Sequence, residues 1–216
     1  MSYPMIIFPC KLFSFYTLSI LTPKTFITMK KITILSLLLV ASLSTFAQKW
    51  SVDKAHAKVG FSVVHMMLSD VDGSFKKFDA SITSSKDDFS DATFEFTIDA
   101  NTINTDNDMR DGHLKGDGFF DTANYPSITF KSNSVQKGSG KALKVTGDLT
   151  MHGVTKPVTF DVTLNGIGEN RQKKKLAGFK VVGTIKRSDF GVGGKTPSAV
   201  VSDEIELKAN GEFVQN

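Results

Sequence analysis

The stretch at 110–130 holds the residues of this chain whose types and spacing could do chemistry. Its leading members are three titratable side chains and two adjacent rings, namely Arg110, Asp111, His113, Phe119 and Phe120. Two glycines follow the charged residues and interrupt any helix begun near residue 107, and Pro126 disfavours helix in the residue before it. The sequence therefore predicts a short helical segment near 106–115, followed by rings on irregular backbone. Large apolar rings in such a place typically plug or line a cavity.

The histidines could ligate a metal, but they fit no ligand pattern. They are His56, His65, His113 and His152. Their separations match neither the HExxH helix nor a finger-like site, and no cysteine follows Cys10. We interpret them as structural residues at strand ends and turns, and we expect no metal and no cofactor. His65 and His113 stay candidates for contact with the polar end of a ligand.

Other motifs fail at identifiable positions. The aspartates at 106–117 do not form a calcium loop, because Arg110 occupies a position that needs an oxygen ligand. The segment at 194–196 resembles the end of a phosphate loop, but Asp189 stands where its first glycine should be. No G-x-S-x-G elbow is present. The chain is therefore not expected to be an enzyme, although two carboxylates brought together only by the fold stay possible.

The formal charge of +4 comes from the first 47 residues. That segment carries no acid and four lysines, at positions 11, 24, 30 and 31, so the rest of the chain has 22 basic and 22 acidic residues. A neutral chain does not favour a nucleic-acid partner.

The N-terminal residues are typical of an export signal. Met29-Lys30-Lys31 precedes a short apolar run, and small residues lead to a cleavage position after Ala47. The run is shorter than the ~20 residues that span a bilayer. We therefore predict a spurious extension at 1–28, a signal peptide at 29–47, and one mature domain at 48–216 that is periplasmic or secreted, with no stable membrane insertion after cleavage.

Eight segments of the mature chain alternate apolar and polar residues, as strands with one buried face do. They lie at 59–65, 78–82, 92–98, 128–130, 143–151, 158–164, 179–185 and 205–213. Turns are predicted at Asp72-Gly73, 138–140 and 152–153, with Pro157 separating the fifth and sixth segments. The pattern fits a sandwich or a barrel. Inward-facing Gly147, Gly183 and Gly211 either spare interior space or mark bends.

Five sequence blocks carry a resemblance to a known family. They are DKAH from Asp53, the stretch at 110–130, GDLTMHGVTKPV from Gly147, RSDFGV from Arg187, and VSDEIEL from Val201. In this order they resemble the YceI-like family of bacterial envelope proteins, although Ala57 follows His56 where the family commonly has serine. The resemblance implies an all-β fold, an eight-stranded antiparallel lipocalin-like β-barrel, that holds a long isoprenoid or other lipid tail.

The resemblance also suggests which residues meet that ligand. The expected contacts to the apolar tail are Phe61, Val63, Phe94, Phe96, Ile98, Leu114, Phe119, Phe120, Ile128, Phe130, Leu149 and Phe160. The expected contacts to the polar head are Arg110, His113, Arg187 and His65. Arg110 and Arg187 have a structural alternative, which is an ion pair with Asp111 or Asp189.

Three functions are consistent with these residues. The first is a protein that sequesters or carries the lipid, with a homodimer as a possible assembly. The second is an accessory protein that presents an isoprenoid quinone or carrier lipid to a membrane redox or biosynthetic enzyme. The third is a ligand-free structural or stress-response barrel.

Overall fold

The structure, a computed structural model, describes residues 47–216 as a barrel of β-strands with one α-helix. The strands are β1 (Gln48–His65), β2 (Ser69–Phe75), β3 (Phe78–Ser84), β4 (Thr93–Asp99), β5 (Ile103–Asn104), β6 (Ser127–Lys137), β7 (Ala142–Met151), β8 (Val154–Glu169), β9 (Lys175–Lys186) and β10 (Val201–Gln215). The helix is α1 (Asp108–Lys115), and short 3₁₀ turns occur at Ala100–Thr102 and Arg187–Phe190. The predicted extension at 1–28 and all but the last residue of the predicted signal peptide lie outside the described residues.

The strands form a closed antiparallel ring, because β10 pairs with β1. Two members of the ring are interrupted. β2 and β3 pair with different parts of β1 and together form one member of the ring. β5, which pairs with β2, and β4, which pairs with β3, together form the next member. Counted in this way the barrel has eight strands, which confirms the predicted eight-stranded fold. This pairing joins the two edges that an open sheet would leave free.

Alternation along the strands places the apolar side chains in the interior. On β7, Leu143, Val145, Leu149 and Met151 are all buried, and the polar residues that alternate with them are more exposed. This is the period of two that a strand imposes on its side chains. Each of the eight alternating segments of the sequence therefore coincides with a strand, whereas β2 and β5 correspond to none of them.

One predicted turn is wrong. Asp72 and Gly73 lie within β2, where they pair with Ser62 and Phe61. The chain reverses earlier, at 66–68, on a turn made of Met-Met-Leu. The sequence hides this turn because it lacks the Gly, Asn or Asp residues that usually mark one. Pro157 likewise belongs to β8, where it pairs with Asp148.

The loops gather at the two ends of the barrel. We call one the helix end, formed by the turn at 66–68, the segment at 105–126, the turn at 152–153 and the segment at 187–200. We call the other the plug end, formed by 85–92, 138–141 and 170–174. Among residues 47–216, no helix combines the length and apolar character needed to cross a membrane.

α1 begins at the predicted place for a local reason. The side chain of Asn107 accepts a hydrogen bond from the backbone N–H of Arg110 at 3.0 Å, which caps the first turn. Asp108 and Asp111 lie in that turn, where the helix dipole favours negative charge. The helix ends at Gly116, and Phe119 and Phe120 follow it on irregular backbone, as predicted.

Candidate ligand-binding cavity

The interior of the barrel contains an apolar cavity of about 220 Å³. Its wall is almost entirely carbon and is contributed by strands around the ring, by α1 and by the loops of the helix end. Phenylalanine is the most common wall residue. A concave apolar surface of this kind favours a ligand with apolar surface to bury.

All twelve residues predicted to contact the apolar tail lie on this wall. They are Phe61, Val63, Phe94, Phe96, Ile98, Leu114, Phe119, Phe120, Ile128, Phe130, Leu149 and Phe160. The strand residues among them follow from alternation, and Leu114, Phe119 and Phe120 are brought over the ring by the connection from α1 to β6. Their contact with a ligand stays a prediction.

Sequence reasoning missed four further phenylalanines of the wall, which are Phe75, Phe78, Phe179 and Phe213. Phe78, Phe179 and Phe213 stand at inward positions of predicted strands, so the signal that identifies them was present in the alternation. Phe75 was hidden by the misplaced turn at Asp72-Gly73.

The rings pack against one another in defined geometry. Phe96 stacks on Phe130 with centroids 5.2 Å apart, and Phe130 meets Phe160 edge to face at 5.2 Å. Toward the helix end, Phe120 meets Phe75 edge to face at 6.1 Å. Such pairs fix ring orientation beyond the effect of burial alone. The cavity therefore has a wall of mutually oriented rings.

Rings fill the side-chain positions of two of the three glycines predicted to face inward, and at the third, Gly211, a β-carbon would lie 2.9 Å from Cβ of Ala57. A β-carbon at Gly147 would lie 2.7 Å from Cζ of Phe130, and one at Gly183 would lie 2.4 Å from Cδ1 of Phe160. Each glycine thus lets a bulky ring lie close to the barrel wall. The open volume of the cavity lies beyond those rings, so it is not the space that side chains at the glycine positions would occupy.

The plug end is sealed by Phe89, which is 0% exposed. Its ring contacts Phe179 at 4.9 Å and Trp50 at 5.3 Å, both approximately edge to face. The loop that carries Phe89 is tied to β3 by Asp91, which accepts a hydrogen bond from the Ser84 hydroxyl at 2.6 Å. Partial burial alone would raise the pKa of Asp91, but hydrogen bonds from Ser84 and Ser85 outweigh it and lower the pKa to about 2.

Arg187 reaches the cavity wall but has no free donor. Its guanidinium is buried and donates to five backbone carbonyls at 2.5 to 3.1 Å, those of Val192, Gly193, Thr196, Val201 and Ser202. Five bonds use all five N–H groups. The alternative ion pair is not formed either, since Asp189 pairs with Lys156 at 3.4 Å. Arg187 therefore holds the 187–202 segment across the helix end.

The other three residues predicted to contact a polar head do not line the cavity. The Arg110 guanidinium donates to Oγ1 and O of Thr105, at 2.8 and 2.7 Å. Its suggested partner Asp111 is buried and accepts from the Thr105 N–H and hydroxyl. His113 is exposed and meets the Phe119 ring at 5.1 Å, and His65 is exposed at the end of β1. The structure thus brings only Arg187 of the four to the cavity.

The DKAH block forms a bulge in β1 opposite β10. Asp53 Oδ2 and His56 Nδ1 lie 2.8 Å apart, and Glu212 brings a third potential metal ligand within 4.8 Å. The hydrogen bond between Asp53 and His56 lowers the pKa of the carboxyl and raises the pKa of the imidazole. Because Nδ1 of His56 is already engaged by Asp53, the group acts as an exposed ion pair that shapes the bulge.

Comparison with known proteins places this geometry in a family. The sequence profile of the YceI-like domain matches residues 50–213. Protein YceI of Escherichia coli O6:H1 is 39% identical over 180 residues, which cover 82% of this chain and 93% of that protein. The crystal structure of Burkholderia cenocepacia BcnA superimposes with a TM-score of 0.66 at 30% identity, covering 74% of this chain and 98% of the other.

A more distant solved structure has the same fold. It is a polyisoprenoid binding domain from Saccharophagus degradans implicated in plant cell wall breakdown. It superimposes with a TM-score of 0.58 at 19% identity, and the match covers 77% of this chain and 98% of that domain.

Proposed function

This chain belongs to the YceI-like family, and on that premise we propose that it is a binding protein that encloses the apolar tail of an isoprenoid or other long-chain lipid. The observation that carries the proposal is the cavity wall, which is built almost wholly of carbon in the interior of a closed barrel. Burial of apolar surface there gains ~25 cal/mol per Å². The Saccharophagus domain, which shares the fold, is described as polyisoprenoid binding.

Binding is favoured over catalysis by the state of the titratable residues at the cavity. Among the described residues these are Glu95, Arg187 and Lys208. Glu95 pairs with Lys131 at 2.9 Å, and Lys208 pairs with Glu206 at 2.7 Å. All donors of Arg187 are bonded to carbonyls. Each of these groups is therefore engaged by a protein partner, which favours binding over proton transfer to a ligand.

The test is to identify what the purified protein carries. Residues 48–216 are purified from cells without detergent, and the organic extract is analysed by mass spectrometry. A stoichiometric long-chain lipid supports the proposal, and we then expect the delipidated protein to recover the lipid on titration. An empty protein that binds no isoprenoid on titration would instead favour a structural or stress-response barrel.

The protein is proposed to act outside the cytoplasm. The support is the n-region, apolar run and small-residue cleavage pattern at 29–47. N-terminal sequencing of the protein recovered from cells should begin at Gln48. A recovered chain that retains the residues before Met29 would show that the extension is translated and kept.

A further inference from the structure

The turn between β1 and β2 exposes three large apolar side chains. Met66, Met67 and Leu68 are 53%, 76% and 85% exposed, and we call these three residues the apolar tip. Scattered apolar residues on a surface are ordinary, but three in succession on a protruding turn leave a contiguous apolar patch in water. The packing of the barrel does not account for them.

The backbone of the turn makes the choice of residues more unusual. Met66 and Met67 have φ of 51° and 57°, which is the left-handed region. Gly, Asn and Asp are the residues that tolerate this region and usually fill tight hairpin turns. A polar turn would therefore fold at least as well and would be better solvated, so the apolar tip must serve a role other than folding.

The tip projects from the rim of the cavity at the helix end. The Met66 N–H donates to the Val200 carbonyl at 2.9 Å, and His65 is paired with Val201. Val201 lines the cavity, as does Val63 three residues before the tip. A partner that binds the tip therefore lies next to the end of the barrel that Phe119 and Phe120 cover.

The small area of the tip and its lack of charge indicate which kind of partner binds it. Three side chains cannot supply the ~800 Å² per partner that a stable protein interface buries, whereas a narrow apolar protrusion can enter the surface of a bilayer. The tip carries no charge, and the nearest charged residues that follow it on β2 are Asp70 and Asp72. Carboxylates at this position do not favour an anionic surface, so the attraction is apolar.

We propose that the apolar tip inserts reversibly into the surface of a lipid bilayer, so that ligand passes between membrane and cavity at the helix end. The proposal rests on the proposed lipid-binding function and names the partner of that site. Membrane binding that is driven by insertion of apolar side chains should be insensitive to salt, because ions in solution screen only the interactions between charges.

The first experiment measures sedimentation of residues 48–216 with phosphatidylcholine vesicles, in low and high salt. The variant Met67→Asn with Leu68→Ser removes the two most exposed side chains, and asparagine suits the left-handed backbone. We expect its partition into vesicles to fall on the order of 100-fold. The control Ile167→Asn changes a 43% exposed residue near the plug end, and it should bind as wild type.

Three results would overturn the proposal. They are wild-type protein that stays in the supernatant, binding lost in high salt, and equal binding by wild type and the tip variant. The wild-type protein must also be monomeric in the absence of vesicles. A wild-type dimer that the tip substitutions dissociate would show that the tip binds a second copy of the chain and not a bilayer.

The second experiment separates this proposal from the proposed function. Farnesol, a short isoprenoid that can be added from solution, is titrated into each delipidated protein, and transfer of an isoprenoid quinone from vesicles is measured in parallel. The tip variant should bind farnesol as wild type does and should extract quinone at least ~10-fold more slowly. Equal extraction rates overturn the docking proposal. Wild type that binds neither compound overturns the binding function itself, whatever the vesicle result.

Discussion

The ring of Phe61 on β1 occupies the place of a side chain on Gly73, its paired residue on β2. A β-carbon on Gly73 would lie 2.2 Å from Cζ of that ring, far inside any contact distance. The absence of a side chain lets the ring lie against the wall, where it also meets Phe75 at 5.8 Å. The open interior thus depends on a glycine that contributes no contact to a ligand.

Gly73→Ala should therefore weaken ligand binding more than the addition of one methyl group would suggest. The added methyl group must push the Phe61 ring toward the lumen, and crowding of this kind costs ~1 to 3 kcal/mol. We expect a lower melting temperature and weaker retention of a bound lipid. The matched control is Gly168→Ala on β8, where a β-carbon meets nothing within 4 Å. Equal behaviour of the two variants would show that the ring moves without cost.

Adjacent residues on β4 should differ sharply because they face opposite sides of the barrel. Phe96 stacks on Phe130 at the cavity wall, whereas the Glu95 side chain is exposed and pairs with Lys131. Phe96→Asp places an unpaired carboxylate in an apolar interior, which costs several kcal/mol. Glu95→Gln removes only an exposed pair worth ~0 to 1 kcal/mol. Chemical denaturation of both variants measures the difference, and similar losses would mean that Phe96 does not face the cavity.

The sequence predicted the strands and the apolar wall because both depend on a local property. Alternation with a period of two assigns Phe94, Phe96 and Ile98 to one face without knowledge of the neighbouring strands. Closure of the ring, by contrast, depends on pairing between β1 and β10, which lie at opposite ends of the described residues. The pattern left barrel and sandwich open, and the resemblance to the family decided between them.

The polar residues were harder to predict because their partners are set by loop geometry. Arg187 binds carbonyls between positions 192 and 202, and a carbonyl has no signature in the sequence. Arg110 turns back to Thr105, and its neighbour Asp111 binds the same threonine. Charge near an aromatic loop suggested a head-binding role for Arg110, but the structure shows the charge engaged in shaping the loop.

Replacing Arg187 should loosen the helix end. Arg187→Met keeps the length and the apolar stem but leaves five carbonyls without their donor, and we expect a loss of at least ~3 kcal/mol of stability. Arg187→Lys should be intermediate, since an ammonium has three donors and no planar fork. Hydrogen exchange at 187–202 should rise in both. Lys186→Met, an exposed neighbour, is the control, and unchanged exchange in Arg187→Met would contradict the assigned role.

The plug end should weaken in acid. The pKa of Asp91 is lowered from 3.8 to about 2, so the folded state favours the carboxylate. Its contribution to stability is present above the ordinary pKa and is lost as pH falls from about 4 toward 2. Melting temperature measured across this range should fall less steeply in Asp91→Asn than in wild type. Ser84→Ala, which removes one donor to the carboxylate, should make this loss smaller, because it brings the pKa of Asp91 back toward its ordinary value.

Phe119 and Phe120 occupy a different environment from the phenylalanine that seals the opposite end. Both are half-buried on the loop after α1, and both lie on the cavity wall. A β-carbon at Gly193 would lie 2.8 Å from Cε1 of Phe119, so this ring contacts the segment that Arg187 holds in place. Phe89 at the plug end is fully buried among other rings.

Replacement of both Phe119 and Phe120 by alanine should therefore weaken lipid retention more than it weakens folding. A fully buried phenylalanine costs ~3 to 5 kcal/mol when truncated, which is the loss expected for Phe89→Ala. Half-buried rings lose less in the empty protein, whereas each can cover on the order of 150 Å² shared with a ligand, up to ~4 kcal/mol at ~25 cal/mol per Å². Melting of the delipidated protein and the rate of lipid release are measured for each variant. A double variant that is unfolded at room temperature would assign the rings to the core, and one that is folded and holds lipid as tightly as wild type would place the bound tail elsewhere.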